Sequence, residues 1–157
     1  LVAQPGLLLV PELQQHALKI CQARLSVATL DQVASAALYG AGTEYFNDVR
    51  DEYRCRRDAI YRKLSEIPGV VCKEPKGAFY VMAKLPVEDT DEFQKWLLTD
   101  FSDNGETLMY APGAGFYATP GMGRDEVRLA YVLNCKDIER AMDLLAMAIK
   151  QYNAQKK

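Results

Sequence analysis

The chain carries apolar residues at helical spacing first and at strand spacing later. Up to residue 67 the apolar positions recur every three or four residues, which predicts three helices. From Val70 onwards, short apolar runs predict strands that alternate with two further helices. This order is typical of an α+β domain, with a small mixed, mainly antiparallel sheet and helices packed on one face.

The first two helices are short. One is predicted at about Pro11–Arg24. The next can be capped by Thr29 or Asp31, whose side chains accept hydrogen bonds from free backbone N–H groups. Gly40 and Gly42 are expected to close it, since glycine tolerates the left-handed turn after a helix.

The third helix, about Glu44–Ile67, has the clearest pattern. Oppositely charged residues four positions apart predict ion pairs on its exposed faces, and Pro68–Gly69 ends it. Its predicted buried stripe consists of Phe46, Val49, Tyr53, Ile60 and Leu64, and its predicted ion pairs are Glu52–Arg56 and Asp58–Arg62.

The second half contains four strand candidates and two helices. The strands are predicted at Val70–Cys72, Ala78–Leu85, Thr107–Ala111 and Glu126–Leu133. One helix is predicted to begin at Thr90 or Asp91 and to end near Asn104–Gly105, with Phe93, Trp96, Leu97 and Phe101 facing inward. The last helix is predicted at about Lys136–Tyr152, followed by a frayed tail from Asn153.

Composition narrows the class of protein. With 157 residues, 49% hydrophobic and 25% charged, the chain suits one soluble domain. A net charge of −2 gives no electrostatic indication of nucleic acid or an anionic membrane as a partner. The four cysteines form no C-x-x-C pair and His16 is the sole histidine, so we expect no metal site, reduced thiols and a cytoplasmic location. His16 lies in a polar run, where a surface role is expected.

Two features bear on chemistry. The segment Pro112–Phe116 contains G-x-G, but Ala118 breaks the G-x-G-x-x-G pattern, and the chain has no phosphate-binding G-K-[ST] loop. Arg128 stands between Val127 and Leu129 in an apolar strand. A guanidinium in that position needs water, a carboxylate partner or a ligand. An edge-strand arginine that points to solvent, or that pairs with Glu126 or Asp125, is the structural alternative.

Three short motifs in a fixed order carry a resemblance. They are Pro75-Lys76-Gly77-Ala78-Phe79-Tyr80, then Pro112-Gly113-Ala114-Gly115-Phe116, then Val127-Arg128-Leu129-Ala130-Tyr131, preceded by Cys21–Gln32 and followed by an amphipathic helix. Nearly the whole chain thereby resembles the C-terminal small domain of class I/II aminotransferases, which belong to fold type I of the pyridoxal-phosphate (PLP) enzymes.

The resemblance implies a site. The arginine of this family that matches Arg128 binds the α-carboxylate of the amino acid substrate. Phe79, Tyr80, Gly113 and Phe116 are further candidates for the substrate side of the cleft, with core and turn packing as the alternative. The implied activity exchanges an amino group between an amino acid and a 2-oxo acid, with aspartate and 2-oxoglutarate as the expected pair.

The sequence departs from the family in one respect. The family's Schiff-base lysine lies in an S-x-x-K segment followed by a phosphate-binding arginine, and neither is present here. We therefore expect residues 1–157 to be a single small domain without the large PLP-binding domain. Such a chain should contain no catalytic residue, bind no PLP and be inactive alone, whereas the intact enzyme should be a homodimer.

Two other interpretations stay open at this level. A PLP carbon–sulfur lyase or a decarboxylase-like relative would share the same small domain. A stand-alone α+β binding module would instead have a finished surface, whereas the aminotransferase interpretation predicts exposed apolar side chains on the first two helices.

Overall fold

The computed structural model describes residues 11–23 and 27–156. These residues belong to two compact units, which divide between Thr43 and Glu44. The apolar opening Leu1–Val10 lies outside the described residues, as do Arg24–Ser26 and Lys157.

The first unit is helical. Helix α1 spans Pro11–Ala23 and α2 spans Thr29–Ala36, followed by a 3₁₀ turn at Ala37–Gly40. The predicted caps of α2 are wrong, because Ala28 occupies the N-cap position and no side chain caps the helix. Gly40 and Gly42 do not adopt positive φ angles, so the left-handed closure predicted there is also wrong.

The surface of this unit is rich in apolar side chains. Exposed aliphatic side chains occur on both helices, as the sequence predicts, and His16 is exposed as well. Leu30 is the most exposed of them, at 83%. The exposed set is Leu13, Leu18, Ile20, Leu30 and Val33.

The second unit contains a four-stranded sheet. Helix α3 (Thr43–Glu66) leads into β1 (Val71–Cys72) and β2 (Tyr80–Lys84), and α4 (Thr90–Thr99) separates these from β3 (Ala111–Pro112), β4 (Glu126–Ala130) and α5 (Cys135–Gln155). The strand order is β1-β2-β4-β3, and each of these pairings is antiparallel. The predicted α+β class with a mainly antiparallel sheet is confirmed.

Alternation within the two central strands separates the two faces of the sheet. Val81 and Ala83 of β2, and Val127 and Leu129 of β4, are buried, whereas their neighbours along each strand are more exposed. The buried face shares one core with α3, α4 and α5, which places these helices on the same side. The opposite face therefore presents the side chains of Tyr80, Met82 and Arg128.

Several local predictions are corrected in this unit. Phe46 and Val49 of α3 are exposed, because the buried residues of this helix lie in its C-terminal half at Ala59, Ile60 and Leu64. The Glu52–Arg56 ion pair forms at 2.7 Å, but Arg62 pairs with Glu66 and Glu139 rather than with Asp58. The C-terminal helix continues to Gln155, and Asn153 donates a hydrogen bond to the carbonyl of Pro86 at 2.9 Å, so this part of the tail is not frayed.

Helix α4 begins and ends differently from the prediction. Its N-cap is Asp89, whose carboxylate accepts hydrogen bonds from the N–H groups of Asp91 and Glu92, while Thr90 is buried and donates to the carbonyl of Glu126. The helix ends at Thr99, and the turn at Asn104–Gly105 follows later.

The strand predicted at Thr107–Ala111 is reduced to Ala111–Pro112. The Thr107 hydroxyl donates to the carbonyl of Leu97, and the Tyr110 N–H donates to the side chain of Gln94. Contacts with α4 replace sheet hydrogen bonds over this stretch, which explains the shorter strand.

Candidate functional site

Arg128 lies in the middle of an interior strand. Its Cα is paired with Met82 of β2 on one side and with Ala111 of β3 on the other. Arg128 is exposed, whereas its neighbours Val127 and Leu129 point into the core. Arg128 is therefore not an edge-strand residue; its guanidinium stands on the open face of the sheet.

Two aromatic rings hold this guanidinium. Its Cζ atom lies 4.5 Å from the centre of the Phe116 ring and 5.4 Å from that of Tyr80. Phe79 packs edge-on against Tyr80, with ring centres 5.6 Å apart, and so supports the Tyr80 ring that contacts the guanidinium. A cation over an aromatic face is stabilised by about 0.5–1 kcal/mol at an exposed position. The rings restrict the rotamers of Arg128 and leave the guanidinium edges available as donors.

Both acidic neighbours of Arg128 have other partners. The Asp125 carboxylate pairs with Lys84 at 2.6 Å, and the Glu126 carboxylate accepts a hydrogen bond from the Tyr117 hydroxyl. The hydrogen bond to Glu126 raises the pKa of Tyr117, so its hydroxyl stays protonated at neutral pH. The local ion pairs that the sequence allowed for Arg128 are thus not formed.

The other arginines of this unit are all ion-paired. Within residues 44–156, Arg128 is the exception: no carboxylate of the described residues lies within 4.0 Å of its guanidinium nitrogens. The paired arginines are Arg50, Arg54, Arg56, Arg57, Arg62, Arg124 and Arg140. A guanidinium with two aromatic supports and no internal acid is suited to bind the carboxylate of a ligand.

Gly113 brings Phe116 to Arg128. Its N–H donates to the carbonyl of Glu126 at 2.7 Å, and an added Cβ would lie 2.7 Å from the Cβ and the carbonyl oxygen of Glu126. No other residue could approach β4 so closely. The 3₁₀ turn Ala114–Phe116 then starts directly after Gly113. The glycine is thus a positioning residue, in keeping with the turn role considered for it.

A second turn positions Tyr80 and Phe79. Ala78 has a φ of +61°, and the buried Tyr131 donates a hydrogen bond from its hydroxyl to the Ala78 carbonyl at 2.8 Å and to the Gly77 carbonyl at 3.2 Å. Burial raises the pKa of Tyr131, so the donor proton is retained. The positive φ of this turn thus falls on Ala78 and not on Gly77.

The hydrogen bond from the Tyr117 hydroxyl to the Glu126 carboxylate was not predicted from the sequence. The Tyr117 ring also lies 2.5 Å from where a Cβ on Gly123 would be, and Gly123 has a φ of +71°. These contacts join residues across an irregular loop, where neither period nor spacing relates them. The one available signal was the pair of glycines at positions 121 and 123, which indicates an unusual turn.

The exposed face of the sheet carries a guanidinium suited to a carboxylate and no unpaired lysine. Lys84 is the one lysine in the four strands, and its ammonium is held by Asp125. Among the described residues there is no set of three acidic, histidine or cysteine side chains placed to hold a metal ion. No helix in the described part of the chain has both the length and the apolar character needed to cross a membrane.

Comparison with known proteins identifies what the chain is similar to. A family model described as aminotransferase class I and II matches residues 6–144. An aspartate aminotransferase of Bacillus subtilis (strain 168) is 30% identical over 132 residues, which are 80% of this chain and 31% of that protein. An aspartate aminotransferase of Musicola paradisiaca is 33% identical over 133 residues, which are 81% of this chain and 30% of that protein.

The fold has the same relatives. The α-aminoadipate aminotransferase LysN of Thermus thermophilus, solved with N-(5'-phosphopyridoxyl)-L-leucine, superimposes with a TM-score of 0.68 at 27% identity. The alignment covers 93% of this chain and 37% of LysN. The chain thus spans about a third of the length of the relatives it matches.

Proposed function

The chain belongs to the class I and II aminotransferases, and on that premise we propose that it is the small, substrate-binding domain of a PLP-dependent enzyme that exchanges an amino group between an amino acid and a 2-oxo acid. Aspartate and 2-oxoglutarate are the proposed substrates, supported by the aspartate aminotransferases among the relatives. The α-carboxylate, which all amino acid substrates share, is the group that the chain itself binds.

The observation that carries this proposal is the state of Arg128. It is the arginine of its unit without an internal carboxylate partner among the described residues, and Phe116 and Tyr80 hold it in one orientation. Its planar fork can donate two parallel hydrogen bonds to a carboxylate. A bidentate pair fixes the direction of the substrate's Cα and orients the bond that must break.

The remaining groups support Arg128 rather than react. Phe116 and Tyr80 limit its rotamers, and the turns at Gly113 and Ala78 set the positions of these rings. Bound PLP supplies the electron sink of the family's chemistry. We propose that residues outside the described ones hold it, since this sequence has no S-x-x-K segment followed by an arginine.

The proposal also states what the isolated chain should bind and whether it should be active. An exposed charge pair contributes only about 0–1 kcal/mol in water, so Arg128 on an open sheet face should bind a carboxylate weakly. We propose that the chain alone binds no PLP and does not transaminate, and that the intact enzyme is a cytoplasmic homodimer. The exposed aliphatic side chains of α1 and α2 favour this interpretation over a stand-alone module.

The first test is the reading frame upstream of Leu1. An S-x-x-K segment followed by an arginine supports the proposal, and a start codon at or just before Leu1 contradicts it. The second test is Arg128→Ala in the intact enzyme. We propose that the large domain covers this face in the intact enzyme and buries the charge pair. Removal of one partner from a buried pair costs about 2–5 kcal/mol, so kcat/KM should fall about 30-fold or more while the PLP absorbance is retained.

Arg124→Ala is the matched control for this test. Arg124 lies four residues earlier and pairs with Asp89 at 2.8 Å rather than facing the site. Its kcat/KM should stay within about threefold of the wild-type value, since exposed ion pairs contribute little. An unchanged kcat/KM in Arg128→Ala, or an equal loss in both variants, would rule out the carboxylate role.

A further inference from the structure

Two of the four cysteines meet in space. Cys55 lies within α3 and Cys135 is the first residue of α5, 80 positions later, yet their Sγ atoms are 2.6 Å apart. The other two cysteines have no such neighbour within the described residues: Cys21 is exposed on α1, and the Cys72 sulfur lies 3.5 Å from the Lys73 carbonyl. The pair has no part in the Arg128 site.

Ion pairs and a shared core fix α3 and α5 relative to each other next to Cys55 and Cys135. Further along the same helices, Lys63 pairs with Asp143 at 2.7 Å and Arg62 pairs with Glu139. Both helices also contribute to one buried core, α3 through Ile60 and α5 through Ile138 and Leu145. The proximity of the sulfurs is therefore set by rigid elements and does not depend on a flexible loop.

The chemical state of the pair favours oxidation in a defined order. Cys55 is exposed, whereas Cys135 is partly buried. The hydrogen bond between the thiols raises the pKa of Cys135 to about 11, so this thiol is protonated at neutral pH. An oxidant in solution therefore reaches Cys55 first, with Cys135 in place as the resolving thiol.

We propose that Cys55 and Cys135 form an oxidation site that closes to an intramolecular disulfide when the protein meets a hydroperoxide. The Cys55 thiolate attacks a peroxide oxygen, the O–O bond breaks, and the departing hydroxide takes up a proton, which leaves a sulfenic acid. Cys135 then gives up its proton and attacks that sulfur, and the S–O bond breaks with loss of a second water. Two thiols and one hydrogen peroxide thus yield one disulfide and two waters, and a thiol reductant reverses the step.

The consequence is a covalent link between α3 and α5. The link closes a loop of about 80 residues, and a cross-link over such a length restricts the unfolded chain strongly. The thermal midpoint of the oxidised chain should rise by at least about 5 °C. The link also fixes the start of α5, next to the carbonyl of Val132 to which Arg56 donates a hydrogen bond at 2.8 Å.

The experiment treats the 157-residue chain with hydrogen peroxide and counts free thiols after unfolding. We expect two of the four thiols to disappear, the mass to fall by two hydrogens, and the chain to stay monomeric on a non-reducing gel. Cleavage after glutamates should then release Tyr53–Glu66 linked to Val127–Glu139, and a reductant should separate them. A link through Cys21 or Cys72, a link between two chains, or no link would overturn the proposal.

Single variants test the order of the steps. Cys135→Ser should stop at the sulfenic acid of Cys55, which dimedone traps, whereas Cys72→Ser should lose two thiols as the wild type does. Dimedone labelling of Cys72 in place of Cys55 would contradict the mechanism. The peptide mapping of the wild-type chain decides the proposal even if a variant folds poorly.

Discussion

Gly113→Ala should weaken both the scaffold and the site. The new Cβ would lie 2.7 Å from the Glu126 carbonyl oxygen and 2.8 Å from that of Gly123, so β3 and β4 must separate. Overpacking against backbone costs about 1–3 kcal/mol, and weakening of the hydrogen bond from the Gly113 N–H to Glu126 adds about 1 kcal/mol. We expect a loss of about 2–4 kcal/mol from a domain whose stability is about 5–15 kcal/mol.

Urea unfolding of the chain measures this loss. Trp96 is the single tryptophan, stacks on Phe93 with ring centres 6.0 Å apart, and reports unfolding of the core through its fluorescence. With a denaturant dependence of about 2 kcal/mol per molar, the midpoint should fall by about 1–2 M urea. The slope itself should not change, since the same surface is exposed on unfolding.

Gly115→Ala is the matched control. Gly115 lies two residues further in the same turn, has no positive φ, and an added Cβ there would meet no atom within 4 Å. Its stability should stay within about 0.5–1 kcal/mol of the wild type, with a gain allowed because alanine restricts the unfolded chain. Equal midpoints for the two variants would refute the account of the close approach at Gly113.

Two further predictions concern the turn at Ala78 and the cap of α4. Tyr131→Phe removes the hydroxyl that holds Ala78 and Gly77, and should lower stability by about 1–2 kcal/mol in the same urea assay, whereas Ala78→Gly should be neutral or stabilising. The hydrogen bond from Arg124 and those from the helix N–H groups lower the pKa of Asp89. The stability that the Asp89 carboxylate contributes is therefore complete above about pH 4, and it is lost as the pH falls through the lowered pKa. Asp89→Ala should therefore cost about 1 kcal/mol at about pH 7, a difference that shrinks towards about pH 2 in pH-dependent unfolding; a constant difference would contradict the linkage.

The spacing of apolar residues predicted the core well in elements that have one buried and one exposed face. The inward positions of α4 and the strands around Val81 and Val127 follow from apolar spacing alone. The errors fall where a distant partner decides the local structure. Thr107–Tyr110 has strand-like residues but hydrogen-bonds to α4. Arg62 pairs with Glu139 of α5 and with Glu66, and not with the predicted Asp58.

The sequence allowed the residues of the candidate site to be proposed in part, and their role in binding stays a prediction. The sequence indicated Arg128 because a guanidinium between Val127 and Leu129 needs a partner, and the geometry adds that its two acidic neighbours are engaged elsewhere. Phe116 and Tyr80 came from the resemblance, and their contacts with Arg128 depend on turns that no spacing rule predicts. The meeting of Cys55 with Cys135 depends on the packing of two helices 80 residues apart, which a single sequence does not reveal.

The motifs that identify the family serve mainly the scaffold. Gly113 permits a close approach of strands, Tyr131 holds a turn, and Phe116 packs on the Arg128 guanidinium, which pairs with no carboxylate of the described residues. Fold and chemistry can therefore be separated by substitution. Arg128 is exposed and makes no ion pair with the described residues, so Arg128→Ala should lose only its two aromatic contacts and lower the urea midpoint of the chain by at most about 1 M. In the intact enzyme the same change should abolish carboxylate binding. Gly113→Ala should lower both, because the same close approach that stabilises the sheet also carries Phe116 to the guanidinium.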